Sequence, residues 1–187
     1  MRIVLLRHGK PRLYSFRKMT GSEFSNWINS YDAAPLDTEC SPSNEAINIS
    51  KRCNTAICST LIRSMESSNR LGLSDTVEAS NDFIEARLPS YNIFNLKFSE
   101  KIWLIFFRVL WFIGYSPNTE SYSEAKLRAK KCSDKLVATA KRSESVILVG
   151  HGILNRLISK ELRSRGWQGP AKTKSKYWQF DIYENET

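Results

Sequence analysis

Histidine is scarce in this sequence, and so are the common motifs of metal and nucleotide sites. Only two histidines, His8 and His151, occur among its 187 residues. None of the four cysteines forms a CxxC pair, so neither a zinc ribbon nor a thioredoxin-like motif is indicated. GxxxxGKS, GxxxxGKT and GxGxxG are all absent, which leaves nucleotide-binding α/β classes without support. Two histidines with no cysteine or carboxylate at ligand spacing make a zinc site the weaker alternative.

Acidic residues are also in short supply. The 19 Asp and Glu are outnumbered by 28 Lys and Arg, which gives a net charge of +9. Such a balance favours anionic partners, which include phosphorylated metabolites, nucleic acid and an acidic membrane surface. Because the basic residues are scattered and no nucleic-acid-binding motif occurs, we expect no nucleic-acid partner.

Long apolar runs are missing. The most apolar stretch, IWLIFFRVLWFIGY at 102–115, has 14 residues and is interrupted by Arg108. A bilayer span takes about 20 residues, so no membrane span is expected. Residues 102–113 are predicted to form a buried core helix, with a pocket-lining helix and a membrane-docking surface as the alternatives. Arg108 should face solvent or phosphate, because an unpaired buried charge is costly.

The compartment follows from the start of the chain and from its cysteines. The first apolar run is short and leads directly into polar sequence, so no signal peptide is expected. Reduced cysteines in a cytoplasmic protein are the simplest interpretation.

Three short apolar segments predict the fold class. Residues 2–6, 55–58 and 145–149 are candidate buried strands, and each is followed by a turn and then by helix-compatible sequence. This repeated order predicts an α/β fold, a three-layer αβα sandwich around a central, mostly parallel sheet. The length suits a single domain, 1–187.

Two more elements and one connection are expected. Residues 121–142 are predicted to form a long helix, and residues 177–183 alternate in polarity as a final strand does. Residues 32–50 lack periodicity and are expected to form a long surface connection. The helix should bury an apolar stripe composed of Ala125, Leu127, Ala129, Cys132, Leu136, Val137 and Ala140.

Chemistry-bearing residues follow all three candidate strands. Arg7 and His8 come after the first strand, Arg63 lies five residues past the second, and His151 comes directly after the third. Ligands of parallel α/β sheets bind beyond the carboxyl ends of the strands. If the strands are neighbours, the four side chains converge on one cationic pocket suited to a phosphoryl group. For either histidine alone, a hydrogen-bonded structural role is the alternative.

Five segments, taken in order, resemble the histidine phosphatase superfamily, which includes the cofactor-dependent phosphoglycerate mutases. LLRHGK resembles the opening RHG motif, CSTLIRS the second motif and VGHGILNRL the late His-Gly motif. IEARLP resembles the stretch that supplies an acidic residue, and TES at 119–121 resembles a Glu-Ser element before the long helix. The matches span nearly the whole chain.

The resemblance implies a phosphoglycerate mutase-like fold and a phosphohistidine mechanism. His8 would be the nucleophile, and Glu85 would protonate the leaving oxygen and then deprotonate the attacking water. Glu120 and Glu78 compete with Glu85 for this role. A helical insertion or lid is expected at about 83–120, and neither metal nor cofactor is expected. The phosphoryl group would be bound by Arg7, Arg63 and His151, with Gly9 and Gly152 allowing its close approach.

Departures from the mutase pattern favour hydrolysis. Lys10, Pro11 and Arg12 follow the RHG motif, and the chain has no room for the mutase insertions. We therefore expect a phosphomonoester hydrolase for a small phosphorylated metabolite. Mutase-type phosphoryl transfer and a non-catalytic phosphate-binding module of the same fold are the alternatives. The substrate and the oligomeric state stay open.

Overall fold

The elements alternate as an α/β protein requires. In a computed structural model, which describes residues 1–13, 17–74, 77–90 and 96–186, five strands and six α-helices are found. The strands are β1 (Arg2–Arg7), β2 (Thr55–Ser59), β3 (Val77–Ser80), β4 (Ser145–Gly150) and β5 (Phe180–Glu184). The helices are α1 (Gly21–Ala33), α2 (Asn44–Lys51), α3 (Ile62–Arg70), α4 (Glu100–Phe112), α5 (Tyr122–Ser143) and α6 (Gly152–Ser164).

The sheet has the order β3-β2-β4-β1-β5. The pairs β2–β3, β2–β4 and β1–β4 are parallel, and only β5 runs antiparallel, at the edge beside β1. The predicted α/β class with a mostly parallel central sheet is therefore confirmed. The three candidate strands are also neighbours, in the order β2-β4-β1, so their carboxyl ends meet at one edge.

Alternation along the strands divides the core between two faces of the sheet. Ile3 and Leu5 of β1 pack with residues of α5 and α6, whereas Val4 and Leu6 pack with α2 and the end of α3. Successive side chains of a strand point to opposite faces, so an apolar run without alternation must be covered on both. Helices therefore cover both faces of the sheet, which gives the three layers of the fold.

The long helix starts where its sequence provides a cap. Ser121 accepts a hydrogen bond from Glu124 N–H, and the Glu124 carboxylate accepts one from Ser121 N–H, which forms a capping box. The predicted helix over 121–142 is confirmed within one residue. One member of its predicted buried stripe is wrong: Leu127 is 57% exposed, while Ser133 and Thr139 are buried.

Two sequence expectations need correction. Residues 32–50 are not all surface connection, because α2 begins at Asn44 after an N-cap by Ser43 and buries Ala46 and Ile49. A two-turn helix is too short to show a clear period in sequence. The final strand begins at Phe180 rather than at residue 177, because Trp178 has a positive φ of 63° that no strand accommodates.

The segment 102–113 forms most of α4, so the predicted helix is present, but the prediction that it is buried is only partly right because Ile105 and Val109 are 67% and 54% exposed. The helix packs partly against α1. Trp103 and Phe107 of α4 join Phe24 of α1 in an aromatic cluster, with the rings of Phe24 and Phe107 stacked at 5.6 Å. Trp111 of α4 reaches the main core. The expected insertion at about 83–120 includes α4 and remains a prediction, and residues 91–95 lie outside the described residues.

A tight contact between Gly9 and Trp178 fixes the loop after β1. The Trp178 indole is buried and its Nε1 donates to the carbonyl of Cys40 at 3.0 Å. Its backbone N–H donates to the carbonyl of Arg7. A Cβ atom on Gly9 would lie 2.3 Å from Trp178 Cζ2, so glycine is required here by packing.

Gly9→Ala should therefore destabilise the protein by about 1–3 kcal/mol, the usual cost of overpacking a buried site. Gly152→Ala is the matched control, because its added Cβ meets only the Arg7 side chain, at an ordinary 3.6 Å. That control should change the free energy of unfolding by less than about 1 kcal/mol. Denaturant titration of both variants measures the difference, and equal losses would contradict the packing argument.

Candidate active site

The carboxyl ends of three neighbouring strands bring the two histidines together. His8 follows β1 and His151 follows β4, and their ring centroids lie 4.9 Å apart. Ser59, the last residue of β2, bonds to Nε2 of His151 at 2.6 Å. Arg63 enters from the first turn of α3, directly after β2. The sheet order thus assembles one cluster from segments far apart in the chain.

The hydrogen bond of His8 defines which nitrogen is free. Nδ1 lies 2.6 Å from the carbonyl oxygen of Gly9. A carbonyl oxygen can only accept, so we place the proton on Nδ1, and Nε2 then carries the lone pair. A ring held in this tautomer is prepared to act as a nucleophile through Nε2.

Burial keeps His8 neutral. Desolvation is the largest cause that lowers the pKa of His8 well below its ordinary 6.5, and the positive charges of Arg63 and Arg7 lower it further. The hydrogen bond to Gly9 acts in the opposite direction but does not outweigh them. A neutral imidazole beside two guanidinium groups follows from these causes.

His151 is equally enclosed and has one unused nitrogen. Its pKa is lowered well below 6.5, first by burial and then by His8, Arg63 and Arg7. Nδ1 is buried and has no hydrogen-bond partner among the described residues. The residue is also the N-cap of α6, so it stands where a helix favours negative charge. An anion held here would meet both the helix end and an imidazole.

Each arginine of the cluster is stacked on a tyrosine. The Arg7 guanidinium lies 4.3 Å from the Tyr177 ring centroid and donates to the carbonyl of Ser175. Arg63, which is 1% exposed, lies 4.8 Å from the Tyr31 ring centroid. Both Nε atoms are buried and have no hydrogen-bond partner among the described residues. These unused donors are suited to an anionic ligand.

Asp32 partly neutralises this positive charge. Its Oδ1 accepts a hydrogen bond from Nη1 of Arg63 at 3.1 Å. Sequence reasoning missed Asp32, Tyr31 and Tyr177, because neither an ion pair across elements nor a cation–π contact leaves a local pattern in the sequence. Ser59 could have been found, since it lies in the second motif, CSTLIRS.

A cavity of about 530 Å³ opens above the cluster. Its walls include apolar side chains of α1 and α4, among them Trp27, Ile28 and Leu104. Its charged lining is mainly basic, consisting of Arg7, Lys10, Arg63, Arg87, Lys101, Arg108 and Arg156 against Asp32, Glu85 and Glu100. This excess of positive charge suits an anionic ligand.

The two imidazoles lie beneath the cavity floor rather than in its lining. His8 is 2% exposed and His151 is fully buried. The rings of His8 and Tyr177 are 5.6 Å apart, and the hydroxyls of Tyr31 and Tyr177 lie 3.4 Å apart. Contact between a ligand and Nε2 of His8 therefore requires side chains of the floor to move.

Glu85 is held at the start of α6. Its Oε1 accepts from the backbone N–H groups of Leu154 and Ala86, both at 3.0 Å, and its Oε2 accepts from Ile153 N–H at 3.1 Å. The residue lines the cavity.

The two competitors of Glu85 lie elsewhere. Glu120 pairs with Arg128 at 2.6 Å, and Glu78 pairs with Lys135 at 2.6 Å. Neither carboxylate belongs to the described lining of the cavity.

Arg108 and Gly152 line the cavity, whereas Gly9 is not among the lining residues. Arg108 lines the cavity, where its Nη2 donates to the carbonyl of Ala86 at 3.1 Å and burial lowers its pKa. Gly152 also lines the cavity. The N–H of Gly9 instead donates to Ser67 Oγ at 2.8 Å, so this group is already engaged and we leave Gly9 out of the proposed ligand set.

Among the residues that the structure describes, no group of three or more His, Cys, Asp or Glu side chains is placed to hold a metal ion. No helix there is both long enough and apolar enough to cross a membrane.

Solved structures share this fold, although no family model and no curated protein matches the sequence. A mycobacterial glucosyl-3-phosphoglycerate phosphatase, solved with VO3, has a TM-score of 0.63 at 18% identity over 97% of this chain and 90% of that one. The product of open reading frame Rv3214 of Mycobacterium tuberculosis has a TM-score of 0.58 at 18% identity, over 97% of this chain and 89% of that one. A candidate alpha-ribazole-5'-P phosphatase of Escherichia coli has a TM-score of 0.54 at 19% identity, over 86% of this chain and 78% of that one.

At 18–19% identity, this likeness shows the fold. The phosphoglycerate mutase-like fold expected from the order of motifs is therefore confirmed for this chain.

The buried histidines should make the protein less stable in acid. Because both pKa values lie below the ordinary 6.5, the unfolded chain binds protons that the folded protein does not. Stability is therefore complete above pH 6.5 and falls as the pH drops towards the folded pKa values, by up to about 1.4 kcal/mol per pH unit for each histidine. Urea unfolding between about pH 8 and pH 5 measures this slope.

His8→Asn should remove roughly half of this pH dependence of the free energy of unfolding, because one of the two histidines with a lowered pKa is gone. Glu23 and Glu124 have pKa values lowered from 4.5, so their contribution is lost only at lower pH. A free energy of unfolding that stays constant down to about pH 5 would contradict the burial of neutral imidazoles.

Proposed function

We propose that the protein is a phosphomonoester hydrolase that needs no metal and acts through a phosphohistidine on His8. The observation that carries the proposal is the arrangement of His8. Its ring is buried and neutral, Nδ1 is engaged by the carbonyl of Gly9, and two arginines and a second imidazole surround it. This combination provides a nucleophile and stabilisers of phosphoryl charge in one place.

The first half-reaction transfers the phosphoryl group. Nε2 of His8 attacks phosphorus, the bond between phosphorus and the ester oxygen breaks, and the leaving oxygen takes a proton from Glu85. In the second half-reaction a water molecule gives a proton to Glu85 and attacks phosphorus, and the P–N bond breaks to regenerate neutral His8. Donors from Arg7, Arg63 and His151 stabilise the charge on the transferred oxygens.

The position of Glu85 supports this role. Oε1 accepts two backbone N–H groups, whereas Oε2 accepts one and keeps capacity for a proton. Its bonds to the first turn of α6 hold the carboxyl group close to His151, the N-cap of that helix. A proton carrier is therefore fixed beside the proposed phosphoryl site.

Substrate binding must rearrange the cavity floor. The guanidinium groups of Arg7 and Arg63 leave their tyrosine rings to meet the phosphoryl oxygens, and the imidazole of His8 becomes accessible. The energetic exchange is favourable because a bidentate bond from guanidinium to phosphate is stronger than a cation–π contact.

Hydrolysis of a small phosphorylated metabolite fits the neighbours. Two of the similar solved structures are named as phosphatases of phosphorylated metabolites, glucosyl-3-phosphoglycerate and alpha-ribazole-5'-P. The particular substrate stays open, and the cytoplasmic location stays a prediction.

The decisive experiment traps the covalent intermediate. With a radioactive aryl phosphate and EDTA present, rapid quenching should label the wild-type protein, and the label should be alkali-stable and acid-labile, as a phosphoramidate is. His8→Ala should lose the label and nearly all turnover. Arg63→Ala should keep His8 but lose roughly 100- to 1,000-fold in rate, the scale of deleting one fixed charge stabiliser.

Arg163→Ala, on the exposed side of α6, is the control for general effects of removing an arginine. A label that persists in His8→Ala, or activity that EDTA abolishes and a divalent metal restores, would disprove the proposal.

A second test addresses Glu85. Glu85→Gln keeps one oxygen, which can still accept from Leu154 and Ala86, but cannot supply a proton, so turnover should fall most for esters with poor leaving groups. The measurement is the rate of wild type and variant over aryl phosphates of increasing leaving-group pKa. Glu120→Gln, which disturbs a carboxylate outside the cavity lining, should not change that dependence. Equal rate losses across the whole series would exclude Glu85 as the proton donor.

A further inference from the structure

The outward side of α4 carries an unusual set of exposed apolar side chains, which we call the outer α4 face. It consists of Ile102 (50% exposed), Ile105 (67%), Phe106 (36%), Val109 (54%), Phe112 (42%) and Ile113 (74%). Their spacing of three and four residues aligns them in one continuous stripe along the helix.

The other two sides of α4 are already in use. Trp103, Phe107 and Trp111 are buried against the rest of the protein, while Leu104 and Arg108 line the cavity. All three charged side chains of the helix line the cavity. A helix that is apolar all round is normally covered on all sides, and an extended exposed apolar patch marks an interaction site.

A second copy of this chain fits the outer α4 face poorly. A specific protein interface uses about 20–30 residues a side, whereas this face offers six. Two copies would also bring together surfaces of a chain whose net charge is +9. A bilayer surface needs no matching shape, and an amphipathic helix can lie in its interface plane.

Basic residues at both ends of the face favour a negatively charged bilayer. Lys101 precedes Ile102 on the same helix. At the other end, the Lys126 ammonium lies 4.9 Å from the Tyr122 ring, which packs edge-on against Phe112 at 5.2 Å. Both cations can meet lipid phosphates while the apolar side chains enter the acyl boundary.

We infer that the outer α4 face docks on an anionic phospholipid surface, with α4 lying parallel to the membrane. The cavity is lined by the adjacent side of the same helix, through Lys101, Leu104 and Arg108. Docking therefore places the mouth of the cavity beside the lipid headgroups. This inference concerns where the protein works and does not depend on the proposed reaction.

Vesicle binding tests the inference. The protein should co-sediment with vesicles of phosphatidylcholine and phosphatidylglycerol, less with phosphatidylcholine alone, and less as salt is raised. The double variant Ile105→Gln/Val109→Gln should lower the partition coefficient at least about tenfold, since two inserted aliphatic side chains are lost. Lys126→Gln should weaken binding to the anionic vesicles and leave binding to the neutral ones unchanged.

Leu127→Gln is the matched control, because Leu127 is 57% exposed on α5 and does not belong to the face. It should bind as the wild type does. Circular dichroism and the midpoint of urea unfolding report whether the double variant is folded, and both should stay close to the wild-type values because Ile105 and Val109 are exposed.

Three outcomes would overturn the inference: no vesicle binding by the wild type, unchanged binding by the double variant, or a wild-type dimer in sedimentation equilibrium that the double variant converts to monomer. The last outcome would assign the face to a second copy.

Discussion

The parallel pairing of β1 with β4 is the contact on which the candidate active site depends. Arg7 is opposite Gly150 in the register, so the next residues along the two strands are His8 and His151. The N–H of His8 extends the ladder by donating to the carbonyl of Gly150 at 3.0 Å. A slip of one residue would turn every side chain of a strand to the other face. The apolar residues of β1 and β4, buried on both faces, therefore hold the two imidazoles side by side.

Burial then determines the chemistry of that pair. The same desolvation that makes the site costly to fold keeps both imidazoles uncharged at neutral pH. Positive charge is supplied instead by the guanidinium groups of Arg7 and Arg63, and Asp32 compensates part of it through its ion pair with Arg63. Neutral nitrogen bases and cationic side chains thus share one buried cluster.

The sequence predicted those elements whose structure depends on neighbouring residues in the chain. The strands that carry His8 and His151 could be predicted because unbroken apolar runs require burial on both faces, and the helix after Ser121 because its capping box is written in four residues. The two-turn helix α2 was missed because a short helix has no clear period. The loop around Trp178 was missed because its positive φ is held by tertiary hydrogen bonds.

The same distinction applies to the site. The arginines and histidines could be placed together from strand ends alone, but the tyrosines that stack on the arginines come from α1 and from the approach to β5. Their positions depend on how these segments pack in three dimensions. The outer α4 face departs from the favoured prediction, a buried core helix, for a related reason: an apolar sequence predicts burial without indicating which partner covers it.

Helix α1 contacts both helix α4 and an arginine of the cavity floor. Its Phe24 stacks on Phe107 of α4, and near its C-terminal end Asp32 holds the guanidinium of Arg63. A rigid helix moves as one body, so a displacement of α4 against the sheet would reach Asp32, the ion-pair partner of Arg63, roughly 12 Å away along α1. Through α1, the packing of α4 is thus connected to the ion pair of an arginine in the cavity floor.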